Sequence, residues 1–284
     1  MTPKDTPDWR TMSEAERDAG LNNVNAVADA LDIVAGWDQR AAALRAAYPD
    51  HLDLRYGPRA RNRMDVFKAA AGGPTMVFIH GGYWQTRAKE NFSHLAAGPM
   101  AHGINVAMLG YTLAPDATLD EIVVEIHAGI DGLVAHAPDL EIDVSRLIAA
   151  GWSAGGHMTA MALGHPRVKA GLAISGIYDL EPIRHSYLNA KLQLDEAMSR
   201  RNSPLLLDGG PMKPLSLICG DDELPLLRQQ SALFAGHRAA RGLPVTYEEI
   251  AGANHFSILD ELERPDGRAT RLVRGLVEAV AFET

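Results

Sequence analysis

The sequence predicts an α/β architecture, with a mostly parallel central sheet covered by helices on both faces. Three observations carry that expectation. Five short apolar runs, at residues 75–79, 104–109, 146–150, 170–175 and 215–219, are uniform enough to be buried strands. Segments of helical periodicity lie among them, so strand and helix alternate. One run, 146–150, leads straight into Gly151-Trp152-Ser153-Ala154-Gly155, a pattern that suits a sharp strand-to-helix turn.

The chain has 284 residues, 46% hydrophobic and 22% charged, which fits one α/β domain spanning 1–284 better than two independent domains. Residues 1–8 carry acidic groups and no apolar stretch, so no secretory leader is expected. No apolar run is long enough to span a bilayer, and the protein reads as cytoplasmic. Residues 12–48 read as an N-terminal helical arm. Ser13 and Glu16 fit a capping box, and Trp37, Ala41, Leu44 and Tyr48 recur at helical spacing. Two strands at 52–56 and 64–67 flank a polar turn at 57–62, so a hairpin-like pair is expected.

The alternation then begins. After the runs at 75–79 and 104–109, residues 118–136 place Leu119, Ile122, Val123, Ile126, Ile130 and Leu133 on one helical side. Beyond the run at 215–219, a helix is expected at 224–241, a strand at 245–250 and a closing helix at 268–282. Residues 178–214 break the rhythm, with Pro182, Pro204, Pro211 and Pro214 and no strand-like run. They read as a small cap inserted at the strand ends, where open α/β sheets hold ligands.

The net charge of −9 argues against nucleic acid and anionic membranes as partners. A small-molecule substrate is expected, and a homodimer stays open. Cys219 is the lone cysteine, so an intrachain disulfide and a cysteine metal cluster are excluded; it reads as a buried small hydrophobe. Glu125 and His127 lack metal-ligand spacing, and no metal or cofactor is called for.

The chemistry centres on Ser153. A serine hydroxyl is a weak nucleophile that needs a histidine base, itself oriented by a carboxylate. On a strand–turn–helix elbow the chain order is serine, acid, histidine. His255 lies in a loop after the last strand. The acid lies in Asp221-Asp222-Glu223, and spacing alone leaves Asp222 and Glu223 both open. Fixed N–H donors for a developing oxyanion are expected from Gly82 and Tyr83, in His80-Gly81-Gly82-Tyr83-Trp84, and from Ala154 behind the serine. His80 reads as a loop brace and His157 as a core hydrogen-bonding group. Tyr83, Trp84 and Trp152 are expected to wall a pocket for a flat substrate. Arg184, His185, Tyr187 and Asn189 in the cap are expected to offer it polar contacts. The competing reading of the elbow is a Gly-rich turn whose serine only caps a helix, as in a non-catalytic scaffold.

At these residues the chain resembles the α/β-hydrolase superfamily, near the hormone-sensitive-lipase-like esterases, and most of all the kynurenine formamidase (arylformamidase) group. The resemblance runs from about Trp37 to the C-terminus. It rests on His80-Gly81-Gly82-Tyr83-Trp84, on Gly151-Trp152-Ser153-Ala154-Gly155-Gly156-His157, on Tyr111-Thr112-Leu113-Ala114-Pro115 and on Ser175-Gly176-Ile177-Tyr178-Asp179-Leu180. It implies an α/β-hydrolase fold with a small cap. It also implies a serine hydrolase acting on an N-formyl aryl amide, such as N-formylkynurenine, or on a small activated ester. In that group the acid stands three residues after a strand-ending glycine, here Gly220, so the resemblance favours Glu223. The departure is glutamate where aspartate is common.

Overall fold

Strand β3 shows how the core is built. Met76 and Phe78 pack into one apolar cluster while Val77 and Ile79 pack into another, and all four are buried. Successive strand residues point to opposite faces, so a run that is apolar at every position requires cover on both sides. A computed structural model describes residues 8–281 and supplies that cover. The reading of residues 1–7 and the last residue of the expected closing helix, Phe282, lie outside the described residues.

The elements follow in chain order. The arm holds α1 (Glu14–Leu21), α2 (Asn23–Ala26) and α3 (Ala30–Ala47). Strands β1 (Leu54–Arg55) and β2 (Arg63–Phe67) come next, followed by β3 (Pro74–Ile79), α4 (Ala97–Met100) and β4 (Asn105–Leu109). Helix α5 (Leu119–Leu140), β5 (Asp143–Trp152), α6 (Ala154–Ala162) and β6 (Val168–Ile174) complete the central units. Residues 178–214 hold α7 (Glu181–Arg184), α8 (Asn189–Leu192) and α9 (Glu196–Arg201). The chain ends with β7 (Leu215–Gly220), α10 (Pro225–Ala240), β8 (Val245–Ile250), α11 (Asp260–Glu263) and α12 (Arg268–Ala281).

The eight strands lie in the order β1-β2-β4-β3-β5-β6-β7-β8. Only the β1–β2 and β2–β4 pairs are antiparallel; every other pair is parallel. Buried side chains of α5, α6 and α10 share one cluster, and those of α3 and α12 share the other. Helix α12 shows the pattern plainly: Ala269, Val273, Leu276, Val277 and Val280 form its buried stripe. No described helix is long and apolar enough to cross a membrane.

One feature of the order positions the site. The chain leaves β3 to make β4 on one side, then returns across β3 to make β5 on the other. This is a topological switch point, where the loops after two neighbouring strands diverge and leave a crevice. Ile79 at the end of β3 lies beside Gly151 on β5. The Gly81-Gly82-Tyr83 loop and the Ser153 turn therefore meet at one place.

The arm is not one helix. The Ser13–Glu16 capping box is present at α1, but the helices are interrupted at Asn22 and again at residues 27–29. Asn22 accepts the Asn25 N–H and starts α2, and Val27 is extended. The sequence period hides these breaks because an Asn cap inside a helical pattern costs little locally.

Candidate active site

Ser153 sits at φ 57°, ψ −119°, between β5 and α6. Such a backbone costs about 1–3 kcal/mol in a non-glycine residue and persists only where its surroundings fix it. The fixing is visible here. A Cβ on Gly151 would overlap the Gly155 carbonyl, and a Cβ on Gly155 would overlap the Ile79 carbonyl. Only glycine allows the turn to close against β3. Ala154 is the first residue of α6, so its N–H has no acceptor one turn back.

His255 lies in the loop after β8, with its Nε2 3.2 Å from Ser153 Oγ. Its Nδ1 is 2.8 Å from Glu223 Oε2. The Trp152 indole N–H donates to the His255 carbonyl at 2.8 Å and pins that loop over the elbow. Glu223 Oε1 accepts from Ser175 Oγ at 2.5 Å and from the Gly220 N–H at 2.7 Å. Both oxygens of this buried carboxylate are thus occupied, and the Nδ1–H of the neutral His255 tautomer points at Oε2. Asp221 instead accepts the Gly252 N–H, and the exposed Asp222 contributes only its backbone N–H, to the Ala253 carbonyl. Of the three neighbouring acids, the structure brings Glu223 to the histidine.

The loop after β3 curls tightly. Gly82 has φ 107°, and the N–H groups of Gln85 and Thr86 both bond to its carbonyl. The N–H groups of Gly82 and Tyr83 enter no backbone hydrogen bond among the described residues. His80 braces this loop: its Nδ1 meets the Gly81 carbonyl at 2.8 Å, and its ring stacks on Tyr111 at 4.3 Å. Burial lowers its pKa to about 4, so it stays neutral.

A cavity of about 250 Å³ opens beside Ser153 and His255. Trp37, Tyr83, Trp152, Tyr187 and Phe256 give it an aromatic wall. Trp84 does not line it, which corrects the expectation from sequence. Tyr83 and Trp84 both adopt positive φ, 49° and 59°. The chain reverses there, and the Trp84 ring turns fully inside, edge-on to His157 at 5.1 Å. A ring with no exposed surface cannot stack on a ligand. The cap side chains are also corrected, apart from Tyr187. Arg184 pairs with Glu181 at 2.8 Å, His185 stacks on Trp9, and Asn189 bonds to the Leu194 backbone.

Several residues at the site escaped the sequence reading. Nothing in the motif at 175–180 marks Ser175 as a donor to the acid. Asn22 and Asn23 reach the cavity from the arm, and Arg87 reaches it from the β3 loop. Their only local signals were an Asn-Asn pair interrupting a helical pattern and an arginine in a loop without period. Among the described residues, no group of three or more His, Cys, Asp or Glu side chains could hold a metal ion. Cys219 is buried, and burial raises its thiol pKa to about 12.

Known proteins share this arrangement of strands and loops. The BD-FAE family model matches residues 64–203. A kynurenine formamidase from Danio rerio is 28% identical over 242 residues, covering 80% of this chain and 81% of its own. The chain has the α/β-hydrolase fold. This hydrolase is also 23% identical to esterase LipQ of Mycobacterium tuberculosis, over 88% of this chain and 66% of that protein. The crystal structure of a candidate thioesterase from Silicibacter sp. TM1040 superposes on it with a TM-score of 0.82. That protein is 27% identical, with 91% of this chain and 99% of that chain covered.

Proposed function

We propose that this hydrolase cleaves a small-acyl amide, an N-formyl aryl amide such as N-formylkynurenine, through an acyl-enzyme on Ser153. The observation that carries the reading is the continuous hydrogen-bond path from Glu223 through His255 to Ser153 beside an aromatic cavity. Similarity to kynurenine formamidases over most of the chain supports the acyl and leaving groups named.

On this reading Ser153 Oγ attacks the carbonyl carbon and His255 Nε2 takes its proton. Negative charge moves to the carbonyl oxygen, which the N–H groups of Gly82, Tyr83 and Ala154 would receive. The C–N bond then breaks, and the imidazolium returns the proton to the leaving arylamine. Water, deprotonated by His255, attacks the acyl carbon; formate leaves and Ser153 regains its hydrogen. Glu223 holds the imidazole and offsets its transient charge. The arm at 12–48 and the cap at 178–214 would enclose this site within one domain. The enzyme would work in the cytoplasm, with a homodimer the assembly that light scattering tests.

Replacing Ser153 with Ala should lower kcat by about 10⁶ while leaving the thermal transition in place. Substantial turnover by purified mutant, with no labelling of wild type by a fluorophosphonate, would end the serine mechanism. A short-chain carboxylesterase is the second reading, favoured by the similarity to esterase LipQ. Efficient turnover of p-nitrophenyl acetate and butyrate with no turnover of formanilides would select it, whereas kcat/KM rising toward octanoate would point to a lipase-like esterase instead.

A further inference from the structure

Arg87 is the one permanently charged side chain lining the cavity beside Ser153. The cations around it are all committed. Lys89 contacts Asp53, Asp65 and Glu90, each at 2.7 Å. Arg59 pairs with Glu121 and Glu125. Arg61 donates to the carbonyls of Tyr111 and Arg87. The Arg87 side chain enters no ion pair and no hydrogen bond among the described residues, in a chain of 36 acidic and 27 basic side chains.

Its backbone is held in place. Arg87 adopts φ 73°, an uncommon position for a residue other than glycine, and its carbonyl accepts from Arg61 at 2.5 Å. The preceding turn is tied to the Gly82 carbonyl by two N–H groups. The loop that carries the Gly82 and Tyr83 donors therefore also carries the guanidinium. The rest of the wall is apolar, aromatic or uncharged apart from His255. A guanidinium presents a planar fork of donors that matches a carboxylate.

We propose that Arg87 is a specificity-determining residue that binds a carboxylate carried by the leaving group of the substrate. The proposal rests on the serine-hydrolase reading above. A small acyl group has no room for a second anionic centre, so the carboxylate belongs to the aryl side. The aromatic wall takes the ring, Ser153 takes the carbonyl, and Arg87 takes the acid. The substrate class is then an acylated aromatic acid rather than a neutral aryl ester or anilide.

The test compares ortho-, meta- and para-acetoxybenzoate with the matching acetoxybenzamides, which keep shape and lose charge. The full-length wild type should favour at least one acid over its amide by about ten- to hundredfold in kcat/KM, the scale of one charge-assisted contact. Arg87→Ala should erase that preference by raising KM for the acid, with a much smaller change in KM for the amide, which makes no charge-assisted contact to lose. Arg87→Lys should keep part of it, and Arg87→Glu should invert it. Added salt should weaken the wild-type preference. Equal losses on acid and amide in Arg87→Ala, or no wild-type preference at any ring position, would overturn the assignment. Turnover of p-nitrophenyl acetate separates the two failures. If that neutral ester is cleaved while acid and amide do not differ, only the role of Arg87 falls. If it is not cleaved and Ser153 resists a fluorophosphonate, the hydrolase mechanism falls with it.

Discussion

Glu223 and Asp222 are neighbours in sequence, and their difference is one of surroundings. Glu223 is buried with three donors around it, Ser175 Oγ, the Gly220 N–H and His255 Nδ1. Asp222 is exposed. Replacing Glu223 with Gln removes the charge that steadies the imidazolium and allows an NH₂ group to face Nδ1. That substitution should lower kcat by about 10⁴, whereas Asp222→Asn should stay within about twofold. Steady-state kinetics on one ester decide it, and the reverse pattern would move the acid to Asp222. The elbow and the histidine were legible in the sequence because a local backbone requirement and chain order mark them. The direction of the acid was not, since Ser175 lies 48 residues away and its hydroxyl meets the carboxylate only after β6 and β7 pair. Trp84 misled for a related reason: two consecutive positive-φ residues turn its ring inward, and nothing in its residue type signals that.

At the scale of elements, the arm is tied to the loop that holds the candidate oxyanion donors. Tyr83 Oη donates to the Leu21 carbonyl at 2.7 Å and accepts from Asn23 Nδ2 at 3.2 Å. Burial raises the Tyr83 phenol pKa, so it stays a donor at all working pH values. The arm also reaches the cap, where Asp18 accepts the Tyr187 N–H and Arg17 donates to the His185 carbonyl. The helices within residues 14–47 follow the sequence period, but the contacts of Arg17 and Asp18 with His185 and Tyr187 are tertiary and have no sequence period. Tyr83→Phe removes one hydroxyl and orphans two partners, at a cost of about 1–3 kcal/mol to docking. Hydrogen exchange should quicken at residues 13–29 while sheet amides keep their protection, and kcat/KM should fall with the arm loosened. Unchanged exchange in the arm would show that other contacts hold it.

Across the whole molecule, the predicted alternation of strand and helix matches the observed sheet because each buried run and each amphipathic stripe carries its own period. The cost of that dense interior is that polar groups needed for packing are trapped in it. His80, His94 and His157 are all buried, and desolvation lowers their pKa values to about 4, about 3 and about 4. His157 donates from Nε2 to the Asn202 carbonyl at 2.6 Å, linking α6 to the end of the cap, and its Nδ1 has no partner. In the unfolded chain each histidine titrates near 6.5, so the folded state binds fewer protons below that value. Stability contributed by neutral burial is complete above about pH 6.5 and is lost as pH falls toward 4. Between pH 6.5 and 4.5 the loss is on the order of 2–3 kcal/mol per histidine, a large part of a typical folding free energy. Urea midpoints should therefore drop steeply over that window. His157→Gln keeps a donor for Asn202 and removes one titration, so its midpoint should start lower at pH 7.5 yet fall less by pH 4.5. Equal falls in wild type and variant would mean that His157 takes up its proton equally in the folded and unfolded states, and that burial does not hold it neutral.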